Sequence, residues 1–184
     1  MNLDFYKTTL EKAGVIFESG LNGTEILAAE QFYNFIFPPD LREFLMFALP
    51  VSRRWINWRQ IGSEEIKAAF DHVYGGIYFD IEMNNFWLKE WGDKPSDLSD
   101  AIAIAKDKID DAPKLIPISG HRYIPANPSE SGNPVFSVMQ TDIIYYGSDL
   151  WNYFENEFYY YFQKPEYQIK EPVKQIEFWS NLVD

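Results

Sequence analysis

The sequence predicts an α+β fold: a single domain in which a mainly antiparallel sheet packs with several helices. Three observations carry that expectation. Helix-periodic segments concentrate in the first 111 residues, and short β-rich runs separated by turn formers fill 115–146. One further aromatic helix pattern follows the strands rather than alternating with them, which argues against βαβ units and a parallel sheet. At 184 residues the chain suits one domain with a substantial core and short appendages.

Taken in order, Leu3–Ala13 predicts a short helix ended by Gly14, followed by the extended run Val15–Phe17. Thr24 is positioned to cap a helix whose apolar positions are Ile26, Leu27, Ala29, Phe32 and Tyr33, with Glu25 and Glu30 outside. Pro38 and Pro39 keep Phe35–Phe37 extended, and Pro39 opens the next helix, Asp40–Leu49, stopped by Pro50. Val51–Gly62 is a connection carrying two tryptophans. Ser63 caps a third helix with Ile66, Ala69, Phe70 and Val73 on one face, closed by Gly75 and Gly76, after which Ile77–Glu82 is expected as a strand. Phe86–Gly92 has no strict period and is expected to be an irregular or edge element.

A further helix is expected from Pro95 or Ser96 to Asp111, with Leu98, Ile102, Ala105 and Ile109 inward. Leu115–Ser119 is a short strand whose proline suits an edge or a bulge. His121–Ile124 and Val135–Gln140 form a hairpin-like pair around a proline-marked turn, and Asp142–Tyr146 extends the sheet. Gly147 and Ser148 lead into a helix with Trp151, Phe154, Phe158 and Tyr161, followed by a linker, Gln163–Pro172, and a final short helix within Val173–Val183.

Composition narrows function. A formal net charge of -12 repels phosphate backbones and anionic headgroups, so nucleic acid and membrane surfaces are not expected as partners, whereas a cationic protein is favoured. The absence of cysteine removes disulfides, thiol nucleophiles and cysteine-ligated metals. No apolar run approaches the ~20 residues needed to span a bilayer, and the first residues lack a basic-then-apolar leader, so a cytoplasmic location is expected. Asn22-Gly23-Thr24 fits a glycosylation acceptor pattern but is better read as a helix start.

Catalytic patterns are absent. There is no G-x-S-x-G elbow, no Walker loop and no G-x-G-x-x-G turn. The histidines, His72 and His121, lack metal-ligand spacing; His72 is expected as a solvated or capping side chain and His121 as a structural one. Asp107, Asp110 and Asp111 lack the central glycine and terminal glutamate of a calcium loop. No metal and no cofactor are expected. The six tryptophans are expected mostly in the core, the remainder serving an interface.

Several segments, in this order, resemble the SMI1/KNR4 family, also called the SUKH superfamily. They are Phe17-Glu18-Ser19-Gly20-Leu21, the helix from Thr24 to Glu30, and Phe37-Pro38-Pro39-Asp40-Leu41-Arg42-Glu43-Phe44-Leu45. Leu49-Pro50-Val51, Asn57-Trp58-Arg59, Phe86-Trp87 and the run Leu115–Tyr123 are similar to later family segments, as are Gly132–Val138 and Gln140–Gly147. The resemblance spans roughly Val15–Phe158 and implies a helical extension at 1–14, an SMI1/KNR4-like domain at 15–162, and a linker with a short helix at 163–184. It also implies a curved antiparallel sheet, no catalytic residues and no cofactor. Bacterial members are similar to immunity proteins that neutralise toxins of contact-dependent or polymorphic toxin systems, while fungal relatives regulate cell-wall synthesis and signalling.

The leading expectation is therefore a non-catalytic protein that masks a cognate toxin domain, a basic one by charge complementarity. Its expected contact residues are the acidic and aromatic stretch Trp87, Glu90, Trp91, Asp93, Asp97 and Asp100, together with His121, Arg122 and Asp142. A regulator or scaffold of the cell-wall or signalling kind is the alternative. A hydrolase using His121, Arg122 and Asp142 is the distant one.

Overall fold

A computed structural model describes residues 1–183 of the chain, so residue 184 of the expected tail lies outside the described residues. The architecture is α+β, with six α-helices, a two-stranded and a four-stranded sheet among the described residues, both sheets antiparallel. The larger sheet is open, in the order β3 (Leu115–Ser119), β4 (Arg122–Pro125), β5 (Val135–Met139), β6 (Asp142–Gly147). Pro117 sits as its residue type requires, on an edge strand and next to a register shift between Pro117 and Ser119.

Strand alternation divides the core in two. Ile116, Ile118, Ile124 and Val135 face α1 (Leu3–Lys12), α2 (Gly23–Tyr33), α3 (Pro39–Phe47) and α6 (Leu150–Glu157). Leu115, Tyr123, Phe136, Val138 and Ile143 face α4 (Glu64–Met83) and α5 (Leu98–Asp111). Because helices cover both faces, Leu115–Ile118 and Val135–Val138 are continuously buried rather than alternating. The N-terminal helix α1 enters the first core through Tyr6 and Leu10, and the tail enters the second through Ile176, Trp179 and Leu182.

Local chemistry sets most boundaries. Asn22, not Thr24, caps α2 in a reciprocal box: its side chain accepts from the amides of Thr24 and Glu25, while Glu25 Oε2 accepts from Asn22 N at 2.8 Å. The apolar face of α2 is narrower than its spacing suggests, since Leu27 and Phe32 are exposed. Pro39 opens α3 as expected, but the helix stops at Phe47, and Ala48–Pro50 becomes β2, paired with β1 (Phe17–Ser19) through Phe17↔Pro50.

The largest departure lies at 75–82. Ser63 caps α4 as expected, yet the helix passes through Gly75 and Gly76 and absorbs the segment expected as a strand. Val73, Ile77 and Ile81, four apart, continue one buried stripe into the second core, and this burial outweighs the helix-breaking preference of two glycines. Asp97 caps α5, on which Ala101, Ala105 and Ile109 point inward and Leu98 is exposed, the reverse of its expected role. α6 ends at Glu157, leaving Phe158 half-buried and Tyr161 exposed beyond it. The expected terminal helix is only a 3-10 turn, Trp179–Leu182.

Candidate functional site

The acidic and aromatic stretch lies in the loop between α4 and α5. Tyr74 donates to Asp110 at 2.8 Å and Lys94 Nζ reaches back to Ile81 O at 2.8 Å, so the two helices run antiparallel and this loop caps one end of the pair. Glu90, Asp93, Asp97 and Asp100 are all exposed, and among the described residues none is in an ion pair. Asp97 is partly occupied as the cap of α5, accepting from Ser99 N at 2.8 Å and Asp100 N at 3.2 Å. Of the two lysines here, Lys94 is turned inward onto Ile81 O and Asn85 Oδ1, leaving only Lys89 outward. Phe79, Met83 and Leu98 add exposed apolar surface at the same end of the helix pair.

Trp91 does not join that surface. The 3-10 turn Lys89–Trp91 rotates its indole inward, where it stacks on Phe178 at 6.2 Å with an interplanar angle of 6° and is buried against the tail. Trp87 is half-buried, meets Trp91 edge-on at 5.1 Å, and donates its indole N–H to Gly92 O at 2.8 Å. Expected as contact residues, these tryptophans instead brace the loop, with Trp91 in the core.

His121, Arg122 and Asp142 do not converge. Adjacent strand residues point to opposite faces, so His121 lies with Tyr123 on the α4 side while Arg122 lies with Ile124 on the α6 side. The Arg122 guanidinium stands 3.6 Å from the centroid of the Tyr146 ring, donates to Ser137 Oγ at 2.9 Å, and pairs with Glu157 at 3.2 Å. Arg122 is thus a bracket between β4, β5, β6 and α6. Asp142 is exposed at the start of β6, in register with Met139, and does not line the pocket that holds His121.

His121 instead meets His72 in a pocket of about 450 Å³ that also takes in Arg54 and Glu65. Spacing along the chain gives no hint of this meeting. The one local signal is Arg53-Arg54, a doublet of positive charge in an acidic chain. Burial first, then the charges of Arg122, His72 and Arg54, hold the His121 imidazole below its ordinary pKa.

A larger groove of about 740 Å³ runs between the end of α2, α4 and the end of α5, walled by Phe32, Tyr33, Phe70 and Tyr74. Some of its polar groups engage one another: Lys114 Nζ donates to Tyr33 O at 2.7 Å, and Tyr74 donates to Asp110, which also accepts from Lys106 outside the groove. Among the described residues no three His, Cys, Asp or Glu side chains are grouped to hold a metal ion, and no helix is long and apolar enough to cross a membrane.

No protein-family model, curated protein or solved structure matches this chain.

Proposed function

We propose that this chain is a non-catalytic protein-binding domain of the SMI1/KNR4 kind, an immunity protein that occludes a basic toxin domain in the cytoplasm. The observation that carries the reading is the loop between α4 and α5, where four exposed carboxylates stand without counter-ions among the described residues, beside apolar side chains, and one of two nearby lysines is withdrawn. Unpaired carboxylates on a chain of net charge -12 accelerate encounter with a cationic protein, and interspersed apolar groups supply the area that slows dissociation. The ordered family-like segments support the reading from the sequence side. Two of them, around Asp40 and Gly132, meet through a direct hydrogen bond in this fold.

The test is growth rescue. Co-expression of the chain with the toxin-like product of an adjacent gene is expected to restore growth, and Glu90→Lys with Asp93→Lys is expected to weaken that protection. If no neighbouring product is bound or neutralised, the immunity reading fails. A stable housekeeping partner recovered in its place would favour the regulatory alternative.

A further inference from the structure

The pocket that unites the two histidines has an unusual sign. One face of α4 supplies Glu65, Ala68, Ala69 and His72; the connection before it supplies Arg54 and Ile56; the sheet supplies His121, Tyr123 and Met139. Three of these side chains are basic or protonatable bases and only Glu65 is acidic, in a chain of net charge -12.

The backbone of Arg54 and the ring of His72 are held in place, and each basic group has spare hydrogen-bonding capacity. Arg54 occupies the left-handed region at φ 81, and its carbonyl accepts from Gly120 N at 2.8 Å, which fixes the backbone next to His121. Among the described residues its guanidinium has no ion-pair partner. His72 Nε2 lies 3.2 Å from Val138 O; a carbonyl only accepts, so Nε2 carries the hydrogen and Nδ1 is the free ring nitrogen. In the neutral ring Nδ1 is an acceptor, and it becomes a donor only on protonation. His121 is half-buried.

The charged and titratable groups around His121 are therefore Arg54, His72, Glu65, the Tyr123 phenol, which donates to Ala69 O, and Arg122, whose guanidinium is engaged with Glu157 on the other face. Protonated imidazoles beside Arg54 repel it, with Glu65 the one carboxylate lining the pocket, and an anion seated among them relieves that repulsion while taking charge-assisted hydrogen bonds. Ile56, Ala69 and Met139 give the same pocket an apolar wall, and its volume exceeds that of a bare phosphate.

We propose that this pocket binds a small organic oxyanion, a phosphate or carboxylate group on an apolar body, with Arg54, His72 and His121 on the anion and Ile56, Ala69 and Met139 against the body. Binding draws protons onto the imidazoles, so affinity rises as pH falls. The pocket uses the N-terminal half of α4, whereas the acidic loop follows its C-terminal end, so anion binding and partner binding are separable.

The experiment is an NMR titration of the full chain, following the ring resonances of both histidines, with phenyl phosphate, benzoate and, as the uncharged control, benzyl alcohol. Saturable shifts of both rings are expected with an anion and none with the alcohol; the tighter of the two anions identifies the headgroup. Benzoate keeps its charge between about pH 5.5 and about pH 8, and is expected to bind at least about fivefold more tightly at the lower value, because imidazole titrates within that window. Arg54→Gln is expected to weaken binding about tenfold, and His72→Gln with His121→Gln to abolish its pH dependence, with circular dichroism confirming that both variants fold. The proposal is overturned if neither anion gives saturable shifts, if the alcohol matches them, if binding is indifferent to pH, or if the variants bind as the parent does.

Discussion

Asp40, in the first turn of α3, accepts a hydrogen bond from the backbone amide of Gly132 at 2.9 Å, tying the helix to the loop between β4 and β5. Its other carboxylate oxygen accepts from the Leu41 amide at 2.9 Å, and the side chain is buried. Asp40→Asn keeps the shape but turns one of the two acceptors into a donor facing an N–H. The expected cost is about 1–3 kcal/mol, the usual penalty for a buried polar group left unpaired. An unchanged urea midpoint would remove the tie as a stabilising contact.

The same carboxyl sets a pH dependence. Burial raises its pKa above the ordinary carboxylate value, against the pull of the Gly132 and Leu41 hydrogen bonds. A raised folded-state pKa means the folded chain holds this proton more tightly than the unfolded one. This group's contribution to stability is therefore present below the ordinary value and lost as pH rises through the folded one. Unfolding of Asp40→Asn, followed across that range, is expected to lack this component of the slope; an identical slope would overturn the assignment.

Gly75 and Gly76 make opposite predictions although they are neighbours in one helix. A Cβ on Gly76 would stand 2.8 Å from Gln140 Cα and 3.1 Å from its N, backbone atoms of the turn between β5 and β6. That turn is also held to α4 by Asp80, which accepts from Thr141 N at 2.9 Å, so it has little room to retreat. Gly76→Ala is expected to cost about 1–3 kcal/mol through overpacking. A Cβ on Gly75 meets nothing within 4 Å, so Gly75→Ala should stabilise by about 0.5–1 kcal/mol through helix propensity alone. Chemical denaturation of the two variants reads both signs, and equal effects would refute the close approach.

Those glycines also mark where sequence reasoning stops. Local rules take Gly-Gly as a helix end, because nothing in the neighbouring residues reports that Gln140 approaches Gly76. The contrary signal was present in Val73, Ile77 and Ile81, whose four-residue spacing suits a helix. The four main strands were legible because each is a short β-rich run between turn formers, and the opposite orientations of His121 and Arg122 follow from strand alternation alone. Trp91 was not legible as a core residue, since the ring it stacks on, Phe178, comes from the distant tail. The meeting of His72 and His121 likewise depends on α4 crossing the sheet.

The tail gives a test of its own. Trp179 is 1% exposed, and its indole donates to Pro113 O at 2.6 Å, joining the tail to the end of α5. Trp179→Ala is expected to cost about 3–5 kcal/mol, as for other fully buried large aromatics. Trp179→Phe keeps most of the packing, but it removes the donor and leaves the Pro113 carbonyl short of a partner, for about 1 kcal/mol from the hydrogen bond. A tail that merely decorates the domain would give urea midpoints near that of the parent for both.

Stability also separates the two groups of expected contact residues. Arg122 is 12% exposed at its side chain and joins Tyr146, Ser137 and Glu157, so Arg122→Met strands a carboxylate and a hydroxyl and removes the ring contact. A loss of about 1–3 kcal/mol is expected. Arg122→Lys should recover only part of it, because an ammonium cannot lie flat on the Tyr146 ring and donate in two further directions at once. Glu90 and Asp93 touch no counter-ion among the described residues, so Glu90→Lys with Asp93→Lys should leave the unfolding midpoint unchanged or slightly raised, the net negative charge being reduced. Thermal unfolding at low and high salt checks both. If Arg122→Met were neutral and the charge reversals costly, the bracket and the free acidic surface would have to exchange roles.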